Sequence, residues 1–153
     1  MKVRKIRPNQ IIRARNLYDF DNLKHSITEG RSQIYGALGE IMVMDEYGCG
    51  PDQTYDYDMI IDGHKVDVKS KRTTVVPQPH YFCTVFDYNT TQQCDRYYFV
   101  RVLEDMTSAY LLGYINKSDF YDRALFYRKG QQDTNGFRFK ADCWNLEISQ
   151  LMT

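Results

Sequence analysis

The stretch YDYDMIIDGHKVDVKSKR, residues 55–72, gathers four acids and a run of basic residues around one turn signal. Asp62-Gly63 is a favoured two-residue hairpin turn flanked by strand-forming residues. Counting outward from it sets Ile61 opposite His64, Met59 opposite Val66, Asp58 opposite Asp67 and Asp56 opposite Lys69. Because strand side chains alternate, Tyr57, Met59, Ile61, Val66 and Val68 share one face, which belongs in a core. The other face carries Asp56, Asp58, Ile60, Lys65, Asp67, Lys69 and Lys71. Opposed carboxylates with Cβ atoms about 5 Å apart repel by roughly 1 kcal/mol in water, and by several times that when partly buried. A divalent cation removes the repulsion. Mg²⁺ takes oxygen ligands in octahedral geometry, is commonly held by one or two carboxylates, and leaves positions for water and phosphate oxygens. Lys69, on the same side, could orient or deprotonate a water and neutralise charge developing on phosphorus. A solvent-facing hairpin in which Lys65 and Lys69 simply neutralise the acids fits the same pattern.

The elements that must position this hairpin come before and after it. Asn9 to Lys24 reads as a first helix, loosely periodic in Ile11, Ile12, Leu17, Phe20 and Leu23. A second helix runs from about Ser32 to Tyr47, with Ile34, Leu38, Ile41 and Asp45 on one face, Ser32 as N-cap and Gly48 as terminator. Within it GALGE, Gly36 to Glu40, holds two glycines, each costing about 1 kcal/mol relative to alanine, which close packing against a sheet would explain. After the hairpin come a Pro-bearing connection, a β-prone run from Tyr81 to Asp87, and buried strands at Arg96 to Leu103 and Ala109 to Asn116. A short helix is expected from Ser118 to Tyr127. The turn DTNG, Asp133 to Gly136, then leads into FRFKA as a last strand. This order predicts an α/β fold bordering on α+β.

Glu40 in GALGE on a helix, Asp58 in YDYD, and Asp67-Val68-Lys69 in VDVKSK together resemble the PD-(D/E)xK nuclease superfamily, over about Ser32 to Arg72. The resemblance implies a restriction-endonuclease-like mixed central sheet flanked by helices. It implies that Asp58 and Asp67 bind Mg²⁺ or Mn²⁺ with the Val68 carbonyl, that Glu40 is an outer or water-mediated ligand, and that Lys69 positions or activates the water. Hydrolysis in this family usually leaves a 5′-phosphate and a 3′-hydroxyl. The chain departs from the pattern in three ways: Tyr57 stands where proline is usual, Asp67 where glutamate is more common, and Asp56 competes with Asp58 as first ligand. The family's second core helix has no convincing counterpart in the short, polar YNTTQQCD, Tyr88 to Asp95. Either that connection is abbreviated or the helix at Ser118 to Tyr127 takes the place.

Lys71 and Arg72 extend the strand as candidate phosphate contacts, or as a solvated strand end. Residues 1–15 contain Lys2, Arg4, Lys5, Arg7, Arg13 and Arg15 and no acid, a basic arm suited to a polyanion or to solubility, whereas twenty Lys and Arg balance twenty Asp and Glu overall. The 153 residues suit one domain. Four scattered cysteines fit no zinc or cluster motif and read as buried thiols; the three histidines lack ligand spacing, His80 alone being kept as a possible substrate contact. No apolar run supports export or membrane spanning, so an intracellular, cytoplasmic protein is expected, of the scale of small phage nucleases. The leading expectation is a metal-dependent endonuclease acting on DNA, with RNA not excluded. Its small size resembles that of Holliday-junction resolvases, for which a homodimer is expected. A catalytically inactive nucleic-acid-binding or scaffold protein of the same fold is the alternative, and an unrelated α+β interaction domain is the third reading.

Overall fold

The computed structural model describes residues 1–17, 29–52, 54–134 and 136–153. Strand β1 (Lys2–Lys5) and helix α1 (Pro8–Leu17) lead to the long helix α2 (Glu29–Tyr47). The hairpin strands β2 (Met59–Ile61) and β3 (His64–Thr73) follow, then β4 (Phe82–Phe86), β5 (Arg96–Leu103) and β6 (Ser108–Asn116). Helix α3 (Lys117–Arg123), β7 (Leu125–Tyr127) and β8 (Cys143–Glu147) complete the order. A five-stranded mixed sheet runs β1-β6-β5-β3-β2, with only β3 and β5 parallel, and a three-stranded antiparallel sheet runs β4-β8-β7. The α/β class follows from these elements.

The five-stranded sheet buries both faces, and its alternation assigns each residue to one of two cores. Val66, Val68, Tyr98, Val100, Val102, Ala109 and Leu111 pack with Leu38, Ile41, Met42 and Val43 of α2 and with Ala14 of α1. On the opposite face Tyr97, Phe99, Tyr110, Leu112 and Ile115 pack with Val85 of β4, Leu146 of β8 and Phe120 of α3. Asp67, Lys69 and Lys71 stand in register with Tyr97, Phe99 and Arg101, so they project into the space between the two sheets. This is why Asp67 is buried and Lys69 half-buried on the charged face of the hairpin, while Lys65 and Lys71 stay exposed.

Gly39 sets how closely α2 approaches that sheet. A Cβ built there would lie 1.7 Å from Ser70 Oγ and 2.8 Å from Ser70 Cβ, so only a bare backbone fits against β3. The close approach anticipated for GALGE is therefore real, and its partner is the residue beside Lys69.

Several boundaries differ from the expected ones, each for a physical reason. Helix α2 begins at Glu29, which leaves Ser32 inside it, and α1 ends at Leu17. The rest of the expected first helix, with Phe20, Leu23 and His25, lies outside the described residues. Helix α3 stops at Arg123, and Leu125–Tyr127 pairs with β8, because Phe126 and Tyr127 lie against Trp144 and Phe82. FRFKA forms no strand: it makes one isolated bridge, Gln132 to Arg138, while Phe139 stacks on Tyr127 at 4.4 Å. The last strand is CWNLE, where buried Asn145 accepts a 2.6 Å hydrogen bond from Thr84 Oγ1 on β4.

The basic N-terminus is built into the fold. β1 pairs along β6 as an edge strand of the sheet, and Pro8 opens α1 with Gln10 Oε1 accepting from the Arg7 amide at 2.8 Å, half of a capping box. Arg4 forks onto Glu46 with two 2.8 Å bonds, and Arg13 onto Asp45 at 2.7 and 2.9 Å. Buried Gln10 also donates to Asp45 at 2.9 Å. Burial raises the Asp45 carboxyl, but the bonds from Arg13 and Gln10 outweigh it and hold the group below the usual carboxylate range. Much of the expected arm charge is thus committed to the end of α2. Asp45→Ala strands the buried Gln10 amide and is expected to lower stability by about 1–2 kcal/mol, read as a shift in urea midpoint.

Candidate functional site

The hairpin turn is where the sequence puts it. Asp62 and Gly63 have φ of 49° and 78°, the left-handed pair that an I′-type turn requires, and Met59–Val66, Ile60–Lys65 and Ile61–His64 are paired as counted. Beyond Met59 the ladder ends. The Asp58 amide donates to the Val66 carbonyl at 2.9 Å, and Asp58 Oδ2 accepts from the Val68 amide at 2.7 Å. The carboxylate thus takes the ladder position that a strand backbone would have filled. Asp56 departs from the expected register: it does not oppose Lys69, and its Oδ1 accepts from the Gln93 amide at 3.0 Å. Between the two acids left open as first ligand, Asp58 is the one beside Asp67.

Asp67 is 4% exposed, deep for a carboxylate. Its Oδ1 accepts from Gln92 Nε2 at 3.3 Å, and Lys69 Nζ stands 2.7 Å from Oδ2. Oδ2 makes no hydrogen bond of good geometry, so Lys69 neutralises it as a point charge more than as a donor. Lys69 Nζ also donates to Gln92 Oε1 at 3.0 Å and lies 5.9 Å from the centre of the Tyr97 ring. Asp58 and Asp67 are close enough to act as one hydrogen-bonded pair. Burial and then the charge of Asp67 push the Asp58 carboxyl up to about 7; burial likewise raises Asp67, against the lowering pull of Lys69. Two buried carboxyls that resist ionising side by side is the condition that a divalent cation relieves.

The donor chemistry fits a hard cation. Asp67 Oδ2 is a buried oxygen lacking a well-made hydrogen bond, and Asp58 faces it with a second carboxyl. The Val68 amide points toward Asp58, and within a strand a residue's N–H and C=O project to the same side, so the Val68 carbonyl faces the Asp58 edge as well. Mg²⁺ or Mn²⁺ would find oxygen ligands from all three. Glu40 is half-buried on α2, which packs on the Ser70 face of β3, whereas Asp67 and Lys69 lie on the other face. Among the described residues no third His, Cys, Asp or Glu joins Asp58 and Asp67 in a metal-holding group.

Arg72 and Lys71 separate. Alternation puts Arg72 on the α2 side, 3.7 Å from Glu104, while Lys71 stays on the Lys69 face with its ammonium 5.9 Å from the centre of the Phe137 ring. His80 is exposed and packs edge-on against Tyr81. The four cysteines are free, and Cys83, Cys94 and Cys143 are buried. Among the described residues no helix is long and apolar enough to cross a membrane.

Gln92 is the site residue that sequence reasoning missed. It is 7% exposed, bridges Asp67 and Lys69, and is itself fixed by donating to the Tyr55 carbonyl at 2.8 Å, while its own carbonyl accepts from Lys117 Nζ. The signal was available in the very stretch too short for a helix: a polar loop crossing above a charged strand must bond to something there. Gln92→Ala frees the Lys69 ammonium and leaves Asp67 Oδ1 without its partner. Stability is expected to fall by about 1–2 kcal/mol, read as a shift in urea midpoint.

The raised Asp58 group also predicts a pH dependence. Its folded pKa lies above the unfolded value near 3.8, so the folded state holds the extra proton between the two. In EDTA, stability is therefore expected to be highest at the acid end of this window and to decline as pH rises from about 4 through about 7. Thermal melts across that range check the sign, and added Mg²⁺ should restore the loss above pH 7 with release of a proton.

The chain matches no protein-family model, and no curated protein is significantly similar to it.

Proposed function

We propose that the chain is a metal-dependent nuclease of the PD-(D/E)xK type, hydrolysing phosphodiester bonds of DNA in a restriction-endonuclease-like fold. The observation that carries this reading is half-buried Asp58 beside buried Asp67, with Lys69 Nζ 2.7 Å from Asp67 Oδ2. Bound Mg²⁺ or Mn²⁺ would supply Lewis-acid polarisation of the phosphate and a lowered pKa for water. Asp58, Asp67 and the Val68 carbonyl would hold the ion, and Lys69, now 2.7 Å from Asp67 Oδ2, would place its ammonium beside the attacking water and the phosphate oxygens. Gln92 limits where the ammonium can swing. The water oxygen would bond to phosphorus as its proton passes to bulk solvent, the P–O3′ bond would break with the departing 3′ oxygen taking a proton from solvent water, and the strand would end as a 5′-phosphate and a 3′-hydroxyl. Glu40, on the helix that covers the Ser70 face of β3, would take part only as an outer ligand through intervening water. A homodimer acting on branched DNA inside the cell is the form of this reading closest to the chain's small size.

One observation favours the alternative of an inactive nucleic-acid-binding protein. Lys69 is held by both Asp67 and Gln92, a closed arrangement that a purely structural buried ion pair would also adopt. Incubating the chain with plasmid and with four-way-junction DNA in Mg²⁺, Mn²⁺ or EDTA separates the two. Metal-dependent strand scission supports the nuclease; strand binding without scission in any metal supports the alternative.

A further inference from the structure

Arg101 is buried to within 8% of full enclosure, on β5 beside Lys71 of β3. A buried guanidinium is ordinarily matched by a carboxylate. Here the matches are neutral: Nη2 donates to the Phe82 carbonyl at 2.8 Å, and the group lies 5.4 Å from the centre of the Tyr81 ring. Among the described residues no carboxylate forms an ion pair with Arg101 or Lys71. Burial lowers the pKa of both, and the charge of Arg101 lowers that of Lys71 further, with only thiols and a phenol beside them to compensate. Two adjacent cations, one buried with donors to spare and one exposed beside it, form a place for an anion.

The spacing says which anion. Asp67, Lys69 and Lys71 follow one another on one face of β3, each step of two residues advancing about 6.6 Å. That step is comparable with the separation of successive phosphates along a single nucleic-acid strand. A phosphodiester at Lys69 would leave its neighbour at Lys71 and Arg101. We infer that Arg101 and Lys71 form a seat for a backbone phosphate of a nucleic-acid strand, one phosphate along from the Asp67–Lys69 position. The inference rests on the reading of that position as one that takes a phosphodiester, and it adds Arg101, which no motif of the hairpin contains.

The test is strand binding without metal, so it does not depend on cleavage. Fluorescence anisotropy of labelled single-stranded DNA is followed in EDTA as a function of salt, for the whole chain and its variants. Lys71→Gln and Arg101→Gln are each expected to weaken binding about 10-fold and to reduce the slope of log K against log salt by about 0.7. Arg101→Lys should keep the slope, and Arg13→Gln, whose charge is already spent on Asp45, should change neither. Lys71 is exposed, so Lys71→Gln decides the matter even if Arg101→Gln does not fold. Wild-type slopes in folded Lys71→Gln and Arg101→Gln, or no strand binding by the wild type, would overturn the inference. So would displacement of the strand by millimolar inorganic phosphate in the wild type alone, which would give the seat to a free anion. Mg²⁺-dependent cleavage together with unchanged slopes sinks the phosphate seat alone; Arg101-dependent binding with no cleavage in any metal sinks the nuclease reading alone.

Discussion

Asp67→Ala is expected to lower Mg²⁺-dependent DNA cleavage by about 10³-fold or more, and Lys69→Ala by about 10²- to 10⁴-fold. A thousandfold is about 4 kcal/mol of transition-state stabilisation, within what a metal-bound phosphate loses when a principal ligand goes. The two variants are distinguishable by what else they change. Asp67→Asn keeps the shape of the buried group and its bond from Gln92, and it removes the charge that pushes Asp58 up. It should therefore lose activity yet lose less stability in EDTA than the wild type as pH rises from about 4 through about 7, since burial of Asp58 remains and only the charge of Asp67 is gone. Lys69→Ala leaves Asp67 facing Asp58 with no cation beside it and should be less stable in EDTA at neutral pH. Restoration of its melting temperature, but not of its cleavage rate, by Mg²⁺ would separate Lys69's chemistry from its structural part. Wild-type cleavage by both variants would remove the mechanism.

Gly39→Ala has the largest expected effect on folding. The new methyl would lie 2.8 Å from Ser70 Cβ and closer still to Ser70 Oγ, and rotating the hydroxyl away leaves the first clash in place. Helix α2 must then lift from β3, at a cost of about 1–3 kcal/mol, even though alanine is the better helix former by about 1 kcal/mol. Because Ser70 immediately follows Lys69, the lift disturbs the strand that carries the site, so cleavage should fall along with stability. Ser70→Ala, by contrast, deletes a buried hydroxyl that has no hydrogen-bond partner and is expected to be neutral or slightly stabilising. Combining Gly39→Ala with Ser70→Gly should recover most of the loss, since the two residues share one contact. Urea denaturation of the wild type, Gly39→Ala, Ser70→Gly and their combination measures this, and additive effects in the double variant would contradict the packing account.

The parts of the fold legible in the sequence were those governed by short-range rules. Asp62-Gly63 has few backbone solutions, and from it three residue pairs of the hairpin followed, as did the placement of Met59, Val66 and Val68 in a core. Arg96–Leu103 was legible because a strand buried on both faces reads as an apolar run. What the sequence hid depends on distant partners. The register failed at Asp56 because the ladder ends where Asp58 Oδ2 substitutes for backbone at the Val68 amide. CWNLE did not look like a strand, since its central Asn145 is a poor strand former that is stabilised by Thr84, 61 residues away. FRFKA had the alternation of a strand, but Phe137 and Phe139 meet each other edge to face instead of facing a sheet. Gln92 and Arg101 were invisible for the same reason: nothing near them in sequence announces that β3 carries Asp67, Lys69 and Lys71 alongside.

The chemistry, likewise, was half legible. Residue types gave two acids and a lysine; the structure adds that the acids are buried, that they share a raised proton affinity, and that the lysine is caged by Gln92. Those additions make the central claim a matter of a single position in space. Crystals soaked in Mn²⁺ and measured at the manganese absorption edge should show an anomalous peak between Asp58 and Asp67, about 2.1–2.2 Å from an oxygen of each and from the Val68 carbonyl, with Lys69 Nζ displaced from Asp67 Oδ2. Saturating Mn²⁺ with no peak there, and Lys69 still 2.7 Å from Asp67, would contradict it.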